Sequence, residues 1–150
     1  MSVPKFFNTA GPGKADLNYL IDPLRRINYD EVITMIDQQR YFVLHAPRQT
    51  GKTTSLLAMV RKINAEGRYR CVYINVEQAQ AARSDVANGL RAIVSELGYR
   101  VNLYLGDPEP SGWISQIMEE AGAFNALAAM LRRICATQGQ EQVKPLVLFV

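Results

Sequence analysis

Apolar and polar positions change period along the chain, and the changes mark its elements. Residues 30–39 place Val32, Ile33, Met35 and Ile36 on one stripe. Asn28 or Asp30 can cap that segment, and Asp30 and Glu31 favour its first turn, so a helix is predicted. Residues 41–45 (YFVLH) are a near-continuous apolar run ending at His45, the pattern of a parallel strand covered on both faces. Residues 53–66 return to helical spacing through Leu56, Leu57, Val60 and Ile63, with Gly67 as the stop. A second strand is predicted over 71–76 (CVYINV), rich in β-branched and aromatic residues. Val86, Leu90, Ile93, Val94 and Leu97 predict a helix over 84–97 that Gly98 ends, after which 99–112 loosens.

A further helix is predicted from Ser111 or Gly112 to about Glu120. Gly122 divides it from a helix over 123–137 that carries Phe124, Leu127, Leu131 and Ile134 on one face. Residues 139–144 read as a polar turn, and Pro145 leads into a third strand over 146–150. No internal repeat is found. This alternation predicts an α/β fold: a mostly parallel sheet, right-handed crossovers and helices on both faces. A ligand then belongs at the carboxyl ends of the strands.

The first 29 residues have no such period. Pro4, Gly11, Pro12 and Gly13 predict an irregular arm, which Phe6 and Phe7 should pin to the body because they are costly to leave in water. Tyr19, Leu20, Ile21, Pro23, Leu24 and Ile27 form a short apolar patch within it. Gly11-Pro12-Gly13-Lys14 lacks a preceding strand and a following helix, so it is not a phosphate loop.

The chain has 150 residues, room for one domain with a core, and a formal charge of only +3. Its basic residues are scattered. The densest group, Arg61, Lys62, Arg68 and Arg70, suits a solvated helix end, and without interleaved aromatics it does not support nucleic-acid binding. Cys71 and Cys135 are far apart and lack metal spacing, so they read as buried free thiols of a reducing compartment. No apolar run is long enough for a membrane span and no signal-peptide core follows Met1, so the cytoplasm is expected.

Chemistry concentrates at 41–54 (YFVLHAPRQTGKTT). Ala46, four residues, then Gly51-Lys52-Thr53 is the spacing of a P-loop, with Ala in place of the first Gly, set between a predicted strand and a predicted helix. Backbone amides of such a loop form a concave anion site, and the helix N-terminus adds unpaired N–H groups and its positive dipole end. A cation at a helix start opposes the dipole, so Lys52 needs an anion to justify it. Lys52 is expected to reach the β- and γ-phosphates and stabilise charge in catalysis, and Thr53 to hold Mg²⁺ through its hydroxyl. Ala46, Pro47, Arg48, Gln49, Thr50 and Thr54 complete the expected nucleotide-binding set. Ala46 implies a position that needs no positive φ. His45 is expected to be packed and hydrogen-bonded. Glu77 ends the second strand on the ligand side and either approaches a water or Mg²⁺ or, more simply, caps the following turn.

The run HAPRQTGKTTSLLAMV with a helix upstream, YINVE on the second strand and PLVLFV on the third resembles bacterial AAA-like ATPases of the P-loop superfamily. These are relatives of the AAA+ and STAND ATPases. The resemblance covers nearly the whole chain, but only the P-loop is a sharp motif. It implies ATP and Mg²⁺ as cofactors and a three-layer α/β/α P-loop NTPase fold, of which strands 1–3 are present. The arm, 1–29, would contribute to the adenine side through Ile21, Pro23 and Ile27. Residues 30–150 would be the N-terminal part of the NTPase domain. Sheet order five-one-four-three-two is implied, with an acidic pair after the third strand.

The chain departs from that pattern by stopping at Val150, where the acidic pair should begin. A terminus of five apolar strand residues reads as the N-terminal part of a longer protein, with an open sheet edge. The expected function is ATP binding, from an ATPase whose hydrolysis drives a conformational switch. The alternative is a non-catalytic nucleotide-sensing scaffold, and third comes a small-molecule kinase. A homo-oligomer or partner protein would be reached through the part that follows.

Overall fold

The computed structural model describes residues 4–8, 14, 16–19, 21–48, 50–136 and 143–150. It is mostly helical with a small parallel sheet, an α/β arrangement. The chain forms two compact units, Met1–Lys62 and Ile63–Val150.

In the first unit, the arm closes on itself through its backbone. Phe6 N–H donates to Leu17 O at 3.0 Å and Tyr19 N–H to Phe6 O at 3.2 Å, with Asn18 buried between. Phe6 and Phe7 are exposed, so the expected apolar pins are not what hold it. Backbone bonds and the buried amide replace them. The Gly11–Gly13 stretch lies outside the described residues. A 3-10 turn follows at Pro23–Arg26, started by Asp22 Oδ1, which accepts from Leu24 N–H at 3.0 Å. Helix α1 (Tyr29–Asp37) is capped by Asn28, whose Oδ1 accepts from Glu31 N–H, and buries Val32. Helix α2 (Lys52–Glu66) begins here, with Met59 and Val60 buried.

The predicted strand at 41–45 is not a strand. Tyr41 and Val43 are exposed while Phe42 and Leu44 are half-buried, so one side is covered and not two. A strand exists only by bonding a neighbour, and among the described residues the paired strands bond each other.

In the second unit, β1 (Arg70–Tyr73) pairs in parallel with β2 (Leu146–Phe149), Arg70 opposite Leu146 and Tyr73 opposite Phe149. Both fall on predicted strands: β1 starts one residue early, at Arg70, and stops short of Val76, and β2 stops one residue before Val150. The outer edge of β1 is occupied at Cys71. Asn64 Nδ2 donates to Cys71 O at 2.8 Å, and Cys71 N–H donates to Asn64 Oδ1 at 2.7 Å. Cys71 is buried and free, and burial pushes its thiol up to about 12. Cys135 is free but exposed, against expectation, because it lies on the outer side of its helix.

Arg70 belongs to no solvated cluster. It is buried, its Nε donating to Lys144 O at 3.1 Å and its Nη2 to Ile134 O at 3.2 Å. That second bond serves a carbonyl at the C-terminal end of the helix Ala123–Ala136, where a cation suits the dipole.

Helix α3 (Val86–Leu105) runs through Gly98, the expected stop. Val94, Leu97 and Val101 continue one apolar stripe past it, and burial of that stripe outweighs the glycine's poor helix propensity. A Cβ on Gly98 would lie 3.3 Å from the Ser111 backbone, so the glycine permits close approach. The helix ends at Gly106, which is left-handed at φ +69°. Short α4 (Glu109–Gly112) and α5 (Ile114–Ala121) follow, and Gly122 divides α5 from α6 (Ala123–Ala136) as predicted. The core joins Val72 and Ile74 to Val94, Leu97, Val101, Met130 and Ile134. Glu77 opens a 3-10 turn, Glu77–Ala82. Its N–H donates to Asn75 Oδ1 at 2.9 Å and its carboxylate accepts from Asn75 Nδ2, so the carboxylate is held by a neighbouring side chain and does not cap the turn as expected. No helix among the described residues is long and apolar enough to cross a membrane.

Candidate functional site

The site lies wholly in the first unit, where the 46–51 loop runs into α2. Gly51 has φ +82°, a left-handed value that L side chains rarely adopt. Lys52 is the first residue of α2. The first helical bond runs from Ser55 N–H to Gly51 O at 2.9 Å. Amides earlier in the turn have no carbonyl of their own helix to bond, which is the geometry of a helix N-terminus.

Lys52 folds back over the loop. Its ammonium donates to Ala46 O at 2.5 Å and to Pro47 O at 2.8 Å. Thr50 Oγ1 donates to the same Pro47 carbonyl at 2.7 Å. Two adjacent loop carbonyls therefore hold a half-buried cation at a helix start where the dipole disfavours positive charge.

Two cavities adjoin the loop. The larger, about 450 Å³, lies between the arm and the start of α2, against Lys5, Phe7, Tyr19, Ile21, Gly51 and Thr54. Phe7 and Tyr19 meet there, their ring centroids 5.2 Å apart and tilted by 38°. The smaller, about 330 Å³, is walled by Leu44, His45, Ala46, Thr50 and Lys52, with Ile27 on the arm side. Arg26 and Ser55 line both. Ser55 is buried, and its Oγ donates to Pro23 O at 3.3 Å, which ties the arm to α2.

The predicted residues divide as follows. Ala46, Thr50 and Lys52 gather at the smaller cavity, and Gly51 and Thr54 at the larger. Ile21 and Pro23 wall the larger cavity, and Ile27 the smaller. Pro47 contributes its carbonyl. Arg48 is exposed and lines neither cavity, and Thr53 is half-buried and lines neither. Gln49 lies outside the described residues. His45 is exposed at the smaller cavity rather than packed, because the run it ends is open on that side.

Sequence reading passed over Arg26, Ser55 and the Phe7–Tyr19 pair. Ser55 was accessible to it, since a residue four after Gly51 shares its helix face. The other three come from a stretch with no period, so only the folded arm reveals them. Among the described residues no group of three or more His, Cys, Asp or Glu is placed to hold a metal. A magnesium bound through phosphate oxygens and one hydroxyl requires no such group. No protein-family model, no curated protein and no solved structure matches the chain.

Proposed function

We propose that this chain binds a nucleoside triphosphate, ATP, with Mg²⁺, through the 46–54 loop. The observation that carries the reading is Lys52, an ammonium at the first position of α2 held 2.5 and 2.8 Å from two loop carbonyls. A cation placed there, beside amides that no helical carbonyl satisfies, is explained by an anion shared between them. When phosphate enters, Lys52 exchanges carbonyl contacts for phosphate oxygens without leaving the loop.

The roles follow from position. Lys52 neutralises the phosphate chain and the loop amides from Thr50 to Thr54 cradle it, while the motif's spacing, rather than either cavity, assigns the Thr53 hydroxyl to Mg²⁺. Ile21 and Pro23 offer an apolar wall to the base, while Ile27 lines the smaller cavity beside Lys52. The cavity-lining side chains include the cations Lys5, Arg26 and Lys52 and, among the described residues, no carboxylate. That lining suits a polyanion. The parallel pairing of β1 with β2 also fits the sheet order of the AAA-like ATPases that the sequence resembles, in which those two strands are neighbours. A P-loop NTPase fold and an ATPase that works as a conformational switch in the cytoplasm are the wider form of the proposal.

Titration calorimetry with MgATP tests it. The unaltered chain should bind, and Lys52→Ala should abolish binding while the far-ultraviolet circular dichroism stays the same. Equal affinity in the variant would sink the reading.

A further inference from the structure

We infer that Arg26 is a second phosphate-binding cation of this site, supplied by the N-terminal arm; the inference rests on the nucleotide reading above. Arg26 ends the 3-10 turn Pro23–Arg26 and is the charged residue common to both cavities. Its Nη1 donates to Thr50 O at 3.0 Å, on the rim of the same loop that Lys52 closes. A guanidinium carries five N–H donors in a planar fork, and among the described residues this is the one hydrogen bond the structure records for it.

Gly51 leaves room for this approach. A Cβ at that position would lie 3.3 Å from Arg26 Nη1, so the guanidinium would have to shift by a few tenths of an ångström. Gly51 thus serves the left-handed turn and the seat of Arg26 together. Three further features hold Arg26 where it is. Asp22 starts its turn, Pro23 fixes the first backbone angle, and Pro23 O is tied to Ser55 on α2. The fork matches two oxygens of a phosphate at once, which an ammonium cannot do. Arg26 and Lys52, which both line the smaller cavity, therefore grip the phosphate chain together, with the base end of the ligand in the cavity bordered by Phe7 and Tyr19.

The experiment is calorimetric titration of the whole chain and of Arg26→Gln and Arg26→Lys with MgATP, at two salt concentrations, with Lys52→Ala alongside. Because Arg26 is exposed, the variants should keep the melting temperature of the parent. Arg26→Gln should weaken MgATP by about 10-fold or more, the loss that goes with a charge-assisted contact. It should also flatten the dependence of affinity on salt, which a purely structural role would leave unchanged. Arg26→Lys should recover part of the affinity. MgATP affinity within about twofold of the parent in Arg26→Gln overturns the role of Arg26 and leaves the nucleotide reading standing. A parent chain that binds no MgATP overturns both. Should Arg26→Gln unfold, Arg26→Lys decides alone: it keeps the charge and loses the fork, and unchanged affinity overturns the proposal.

Discussion

Gly51 concentrates two requirements in one residue. Its φ of +82° strains any residue that carries a β-carbon, and such a carbon would also press on Arg26 Nη1 at 3.3 Å. Gly51→Ala should cost about 1–2 kcal/mol from the left-handed backbone alone. It should also weaken MgATP more than Ala substitution at Arg48, which lines neither cavity. Urea unfolding and calorimetry on the two variants check both parts. Cys71 and Cys135 offer a chemical test at the same scale. Burial holds the Cys71 thiol up near 12, and the thiolate is the reactive form. In the native protein at pH 8, a thiol reagent should titrate Cys135 and spare Cys71; after denaturation both should react. Modification of both in the native state would contradict the burial of β1.

At the scale of elements, Asn64 and Gly98 each decide an edge or an angle that propensity does not. Asn64 sits near the end of α2 and satisfies both backbone groups of Cys71, so it stands where a further strand would bond. Asn64→Ala should destabilise the protein by about 1–3 kcal/mol in urea unfolding, because two buried-strand groups lose their partner. Gly98→Ala sets two effects against each other. Alanine favours a helix interior by about 1 kcal/mol. Its Cβ would meet the Ser111 backbone at 3.3 Å and Met130 Cε at 3.4 Å, and overpacking of that kind costs about 1–3 kcal/mol. Packing should win, and the variant should melt below the parent. A higher melting temperature would show that α3 and α4 can move apart freely.

For the molecule as a whole, Cys71 links stability to pH. Its pKa is raised by burial from 9.0 to about 12 in the folded chain. Below pH 9 the thiol is neutral in both states and contributes no pH dependence. Between pH 9 and 12 the unfolded chain releases a proton that the folded chain keeps, so stability falls as pH rises. Denaturant unfolding from pH 8 to 10.5 should show that decline, and Cys71→Ala should show a shallower one. Equal slopes would mean the thiol is ionised in the folded protein as easily as in the unfolded one.

Local rules were legible in the residues themselves. The caps at Asn28, the stops at Gly67 and Gly122, and the parallel strands on either side of the helices follow from spacing and from which residues tolerate a given φ. The turn into α2 was legible for the same reason, with Gly51 left-handed and the helix opening at Lys52. What the sequence could not determine depends on contacts between distant segments. Residues 41–45 have the composition of a strand, but a strand requires a bonded neighbour. Gly98 has the look of a helix stop, but the stripe beyond it had a core to meet. Arg70 reads as a solvated cation, yet it is buried on the carbonyls of Ile134 and Lys144. Arg26 and the Phe7–Tyr19 pair lie in an aperiodic arm. Tertiary structure alone carries them to the loop, because backbone bonds near Phe6 and one hydroxyl at Ser55 fix the path of that arm.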